Sequence, residues 1–223
     1  MQFKFVCTTR RSILVQPSTK FITLTSYKGG VGKTTSAVCL SCLFSNYGQV
    51  MLIDSDPNRS ATAWASAGNL PFKVATENTA TRLMAKTHFD FVVIDTPARP
   101  AEAEMQELVE GCDLLLLPTT PDSLAMKAMM LTSQSLPQGT NYHILLTMVP
   151  PPPQRDGEDA LKVLQEKDFP VIKHSIRLLK VYKDAAALGL PINSMKGGKK
   201  AWQDWIELAK LSPISELINS EIS

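Results

Sequence analysis

SYKGGVGKTTSA, residues Ser26–Ala37, lies between a short β-branched run and a helix-length apolar one, and carries two lysines, Lys28 and Lys33, on either side of its glycines. A bound anion at the end of a strand needs converging backbone N–H groups, a helix N-terminus aimed at it and a cation. Gly29, Gly30 and Gly32, with Val31 among them, allow the backbone to wrap closely around a phosphate. Lys33 opens the helix and is placed to reach the β- and γ-phosphates of a nucleotide, Thr34 to put a hydroxyl on Mg²⁺, and Thr35 to lie beside the α-phosphate. The general spacing G-x-x-x-x-G-K-[ST] asks for a glycine at position 27, where this chain has Tyr27 with Lys28 beside it. One lysine is enough to grip a phosphate, so the second needs its own explanation.

Outside the loop, composition bounds the answer. The chain has 223 residues, 44% apolar and 20% charged, which suits one α/β domain with a real core. No apolar run approaches the roughly 20 residues needed to span a bilayer, so a soluble or at most peripheral protein is expected, and a phosphate loop implies a reducing, cytoplasmic compartment where free thiols persist. Four cysteines (Cys7, Cys39, Cys42, Cys112) are too few and too scattered for a disulfide framework, and the Cys39–Cys42 pair falls inside the helix after the loop, where small buried residues are expected. Residues 1–20 read as an N-terminal extension, 21–211 as a single domain and 212–223 as a C-terminal tail.

From Phe21 onward, short β-rich runs alternate with helix-length segments, the pattern of a mostly parallel twisted sheet with helices on both faces. Strands are predicted at Phe21–Ser26, Val50–Ile53, Phe72–Ala75, Phe89–Ile94, Leu114–Leu117, Tyr142–Thr147 and Val171–Ile172. Pro150–Pro153 forces an extended surface loop.

KGGVGKTT, Lys28–Thr35, resembles the deviant Walker A motif of the ParA/MinD family of P-loop ATPases. The resemblance implies a SIMIBI-type P-loop NTPase fold, ATP with Mg²⁺ as cofactors, and a homodimer that sandwiches ATP, in which Lys28 reaches across to phosphates bound by the other subunit. LIDSDPNRSATAW, Leu52–Trp64, resembles the segment after the family's second strand, implying that Asp54 positions the attacking water and that Asp56 joins the magnesium environment. FVVIDTPA, Phe91–Ala98, resembles Walker B, with Asp95 holding Mg²⁺ through water. LLLLPTTPDSLAM, Leu114–Met126, resembles the fifth strand and its loop, which pack near the base and add Pro118 to the nucleotide-binding set. Phosphoryl transfer to water is mostly positioning and charge neutralisation, so Lys28, Lys33 and Asp54 form the expected catalytic set. Asn58 stands where relatives often have Gln, and TMVPPPPQR replaces a short polar turn, which leaves the adenine contacts open.

Between Val171 and Lys200 lie Lys173, Arg177, Lys180, Lys183, Lys196, Lys199 and Lys200 against the single acid Asp184, a net of +6 on a chain whose total is only +2. Such segregation suits nonspecific binding to a phosphate backbone, and Lys173, Arg177, Lys180, Lys183, Lys199 and Lys200 are the candidate DNA contacts. A MinD-like membrane reader would need a basic amphipathic C-terminal helix; here Asp204, Glu207, Glu216 and Glu221 stand against Lys210, so no membrane partner is expected. The resemblance therefore implies a small ParA-type ATPase, nucleoid-associated, that partitions or positions a cargo with a ParB-like adaptor. The rival readings are a small-molecule phosphorylating enzyme like the dethiobiotin synthetases, which needs neither Lys28 nor a basic patch, and an iron–sulfur relative of the nitrogenase iron protein, for which the cysteines are badly placed.

Overall fold

The computed structural model describes residues 19–220. Its strands are β1 (Lys20–Ser26), β2 (Val50–Asp54), β3 (Lys73–Ala75), β4 (Phe91–Ala98), β5 (Leu114–Thr119) and β6 (Tyr142–Leu146). The helices are α1 (Lys33–Phe44), α2 (Ser60–Ala65), α3 (Glu77–Met84), α4 (Glu102–Glu110), α5 (Ser123–Gln134), α6 (Asp156–Glu166), α7 (Val181–Leu188), α8 (Lys199–Ala209) and α9 (Ile214–Asn219). All strand pairs are parallel, in the order β3-β2-β4-β1-β5-β6. This is the α/β P-loop NTPase architecture that the alternating pattern predicts.

Near-continuous apolar runs make these strands because both faces of the sheet are covered. Successive side chains alternate between layers. Ile22, Leu24, Leu52, Phe91, Val93, Leu114 and Leu116 join α1, α7, α8 and α9 in one cluster. Met51, Ile53, Val92 and Ile94 meet α3 on the opposite face, and Leu115 and Leu117 meet α5 and α6. Helix α1 is buried over nearly its whole length and stacks Phe44 on Phe91, with ring centroids 4.6 Å apart. A helix apolar all round belongs inside. Its Cys39 and Cys42 are buried, and burial pushes the Cys42 thiol up to about 12, which makes the pair packing residues rather than a reactive one.

Two expectations change. Val171–Ile172 is not a strand. Ile172 donates to the Ile144 carbonyl and Ile176 to that of Leu146, so four residues of this segment match two of β6; residues 173–175 bulge out and only isolated bridges remain. The stretch expected as a tail includes α9, whose Ile214 and Ile218 are buried in the core, while the expected N-terminal extension lies outside the described residues apart from its last two.

The bulged segment is held down by charge. Asp204 of α8, 5% exposed at its side chain, accepts from Arg177 Nε (3.0 Å) and Nη2 (2.7 Å) at Oδ1 and from the Arg177 backbone N–H at Oδ2 (3.1 Å). Burial pulls the Asp204 carboxyl up, but His174 and Arg177 outweigh it and hold it below the ordinary range. Arg177 Nη2 also donates to the Lys200 carbonyl at 2.7 Å. Arg177→Ala leaves a buried carboxylate without its counter-ion, and is expected to lower the unfolding free energy by about 2–3 kcal/mol in urea titrations.

Candidate functional site

Parallel strands bring their C-terminal ends to one edge, where the direction of sheet growth reverses around β1 and a crevice opens. Register does the rest. Asp54 is opposite Asp95, and Leu24 opposite Asp95 on the other side, so the loop after β1, the residues after Asp54 and the end of β4 converge. They surround a cleft of about 650 Å³ lined by Gly29, Gly30, Gly32, Lys33, Thr34 and Thr35 of the loop, by Asp56, Asn58 and Trp64, by Pro97 and Ala98, and by Met148. Gly30 (φ 77°) and Gly32 (φ 80°) take left-handed backbone that glycine alone adopts freely.

Lys33 is buried, and its Nζ donates to Ser26 Oγ at 2.9 Å. Burial lowers its pKa, against the opposing pull of Asp95 and Asp56. Thr34 Oγ1 donates to Asp95 Oδ2 at 2.6 Å. Asp95 is fully buried, its Oδ1 has no partner among the described residues, and burial pushes its carboxyl up to about 7. Among the described residues no cluster of three His, Cys, Asp or Glu is poised to hold a metal. Mg²⁺ is bound through one or two carboxylates, substrate phosphates and water. An orphaned buried carboxylate oxygen beside a threonine hydroxyl fits such an ion, and Thr34, Asp95 and Asp56 are the residues that would hold it.

Of the Asp54–Asp56 pair, Asp54 is not brought to the cleft, whereas Asp56 is. Asp54 Oδ2 accepts from the Thr62 backbone N–H (2.8 Å) and hydroxyl (2.7 Å), and the residue is wholly buried behind the cleft wall because it ends a strand covered on both faces. Asp56 is in the cleft, with Oδ1 accepting from the Asn58 N–H at 2.8 Å. Asp54 thus braces α2, and Asp56 is the carboxylate that faces the phosphate space. Thr62, eight residues after Asp54, and Ser26 carried no motif signal in the sequence. Pro118 is also not brought to the cleft: it is buried in β5 and lines a small void with Ser26, Tyr27, Lys28 and Val31. Val31 is buried, and its carbonyl accepts from Thr147 Oγ1 at 2.8 Å.

Lys28 does not line its own chain's cleft. Its Nζ meets Asp122 Oδ1 at 2.9 Å, on the surface at the N-terminus of α5, where Asp122 also caps the helix by accepting from the Ala125 N–H. Hydrogen bonds from Thr120 and Lys28 hold the Asp122 carboxyl down at about 2. Lys173, Lys180, Lys183, Lys199 and Lys200 are exposed, whereas Arg177 is committed to Asp204. The Arg177 bond to the Lys200 carbonyl brings the two lysine-bearing stretches together.

A family profile for the CobQ/CobB/MinD/ParA nucleotide binding domain matches residues 22–192. The chain belongs to that family. Among relatives, a protein named "Maintenance of carboxysome distribution protein A" from Gloeobacter kilaueensis is 35% identical over 193 residues, covering 82% of this chain and 89% of the relative. "Protein ParA" of Rhizobium radiobacter is 25% identical over 190 residues, covering 78% and 86%. Solved structures share the fold: an ATP complex of McdA from Cyanothece (TM-score 0.69, 16% identity, 86% of this chain and 96% of that one) and an AMPPNP-bound putative plasmid partition protein from Borrelia burgdorferi (TM-score 0.67, 19% identity, 85% and 97%). This ParA/MinD-family chain is therefore a nucleotide-binding ATPase.

Asp95→Asn removes the charge that burial opposes. The wild-type penalty builds up as pH rises from the ordinary 3.8 to about 7, because the folded state holds on to its proton longer than the unfolded one. Thermal melts are expected to show the nucleotide-free variant more stable than wild type at about pH 7.5, with the gap shrinking toward about pH 4, and to show loss of the extra stabilisation that Mg²⁺ adds to ATP.

Proposed function

We propose that this ParA/MinD-family ATPase is a positioning ATPase: it forms an ATP-sandwich homodimer, binds nonspecific DNA in that state, and hydrolyses ATP with Mg²⁺ to place or partition a cargo through a ParB-like adaptor. The observation that carries the reading is Lys28. A lysine inside a phosphate-loop motif, yet outside the cleft of its own chain and held on the surface by an exposed ion pair, is available to a second subunit. Exposed pairs of this kind contribute at most about 1 kcal/mol, so Asp122 yields Lys28 readily to a polyphosphate. The relative named for maintenance of carboxysome distribution, which shares the sequence over most of both chains, supports a large assembly as cargo.

Within the cleft, the backbone of Gly29–Gly32 and the Lys33 ammonium bind the phosphates, and Asp56 orients the attacking water. Mg²⁺, when bound, neutralises charge on the β- and γ-phosphates beside Thr34 and Asp95. An apolar recess of about 200 Å³, lined by Met148, Leu178, Leu179 and Tyr182 and sharing Gly32 and Thr35 with the cleft, receives the base. Lys173, Lys180, Lys183, Lys199 and Lys200 supply the cations for DNA. Among the described residues no helix is long and apolar enough to cross a membrane.

The test is binding to a nonspecific duplex with ATP, with ADP and without nucleotide, at low and high salt, while the protein's mass is followed. Binding with ATP alone, doubled mass and loss at high salt are expected. Lys28→Ala should still bind nucleotide but stay monomeric; ATP-driven dimers of that variant contradict the trans role. Lys180→Glu with Lys183→Glu should weaken DNA binding and flatten its salt slope, and an unchanged slope places the DNA elsewhere on the surface.

A further inference from the structure

Among the described residues, four non-glycine positions hold left-handed backbone: Arg59 (φ 52°), Arg99 (φ 59°), Met148 (φ 52°) and Asp168 (φ 56°). Three of them border the cleft. Met148 lines it, Arg59 sits between the lining residues Asn58 and Ser60, and Arg99 follows the lining residues Pro97 and Ala98. Glycine adopts this conformation freely and other residues do so at a cost, and the positions where they persist concentrate at functional sites. An arginine kept at such a place points to a use for its guanidinium.

Arg59 has a use within its own chain. Its Nη1 donates to Glu77 Oε2 at 3.3 Å and to the Asp54 carbonyl, which braces the loop that carries Asp56. Arg99 differs. Its backbone N–H donates to the Ser26 carbonyl at 3.0 Å and its Nε to the Tyr27 carbonyl at 3.1 Å. The root of the side chain is thereby anchored on the corner from which Lys28 projects. The residue is exposed, and its Nη1 and Nη2 meet no acceptor among the described residues. The two terminal nitrogens of this planar donor thus extend from the corner that carries Lys28, one residue beyond the cleft-lining Ala98.

We propose that Arg99 is a further catalytic residue that acts in trans, its guanidinium contacting γ-phosphate oxygens of the ATP held by the partner subunit. The inference rests on the dimer reading above. In hydrolysis the water oxygen bonds to the γ-phosphorus, the bond from that phosphorus to the bridging oxygen breaks, ADP leaves with the electron pair, and the water's proton passes to phosphate. Charge develops on the peripheral γ-oxygens, and a guanidinium can donate to two of them at once, which an ammonium cannot match in geometry. Lys28 then serves assembly and Arg99 serves rate.

Arg99→Gly tests this without threatening the fold, since glycine relaxes at φ 59°. The variant is expected to bind ATP and to double its mass with ATP, while turnover falls by at least about 10²-fold. Mixing it with Asp56→Ala, which is expected to dimerise with ATP and to be inactive, gives heterodimers in which one site has Asp56 from its own chain and Arg99 from the other. Recovery of turnover in that mixture is expected, and because Lys28 also acts across the dimer, it is retained ATP-driven doubling of Arg99→Gly that separates loss of the guanidinium from displacement of Lys28 through the lost Arg99–Tyr27 bond. Wild-type turnover in Arg99→Gly overturns the role, and no recovery in mixtures whose heterodimers are verified by mass overturns the trans placement. Wild-type protein that hydrolyses ATP while remaining monomeric overturns the dimer reading together with this one, an outcome told apart by mass alone.

Discussion

Everything at the cleft follows from two carboxylates paired in register on neighbouring strands and wholly withdrawn from water. Asp54 and Asp95 are each left with one oxygen that finds no partner among the described residues, and the ammonium of Lys33 is buried near Asp95. Buried charges are tolerated only when paired or hydrogen-bonded. Thr62 and Thr34 satisfy one oxygen of each acid, and Ser26 takes the lysine, but the set remains electrostatically incomplete. The carboxyl of Asp95 accordingly sits near 7 and the pKa of Lys33 below its usual value. A bound nucleotide brings a polyanion for the lysine and loop, and in the proposed function its Mg²⁺ would offset the charge of Asp95.

The remainder of the fold keeps that edge in place. A sheet buried on both faces fixes the register that sets Asp54 beside Asp95, and a helix buried over nearly its whole length ties the phosphate loop to β4 through Phe44 and Phe91. Such packing is dense and resists small displacements. The Arg177–Asp204 pair does similar work at the edge of the domain, where the ladder beyond β6 breaks down and hydrogen bonding to the sheet no longer holds the chain.

Around this rigid interior, the cations divide by surroundings. Lys33 is buried and serves its own site. Lys28 and Arg99 stand on the corner after β1 and β4 and are directed to the surface. The exposed lysines of the 173–200 stretch lie on a different part of the chain, joined by the Arg177 contact to the Lys200 carbonyl. In the proposed function, nucleotide, second subunit and DNA would each meet a separate set of positive charge.

The doubly covered parallel sheet was legible in the run of β-rich and helix-length segments, and the phosphate loop in KGGVGKTT, because period and motif spacing are local properties of a chain. Asp95 was legible for the same reason, as an acid at the end of an apolar strand. Other assignments were not local. Asp54 and Asp56 are two residues apart, yet which of them faces the cleft depends on the layers that bury the end of β2. Arg177 reads as one more cation until α8 places Asp204, 27 residues on, against it. Pro118 and the missing seventh strand turned on how β5 lies behind the loop and how residues 173–175 bulge. Local pattern determined the fold class and the nucleotide chemistry; the tertiary structure alone decided which charges are shared, spent or left facing outward, since that depends on strand order and on groups distant in sequence.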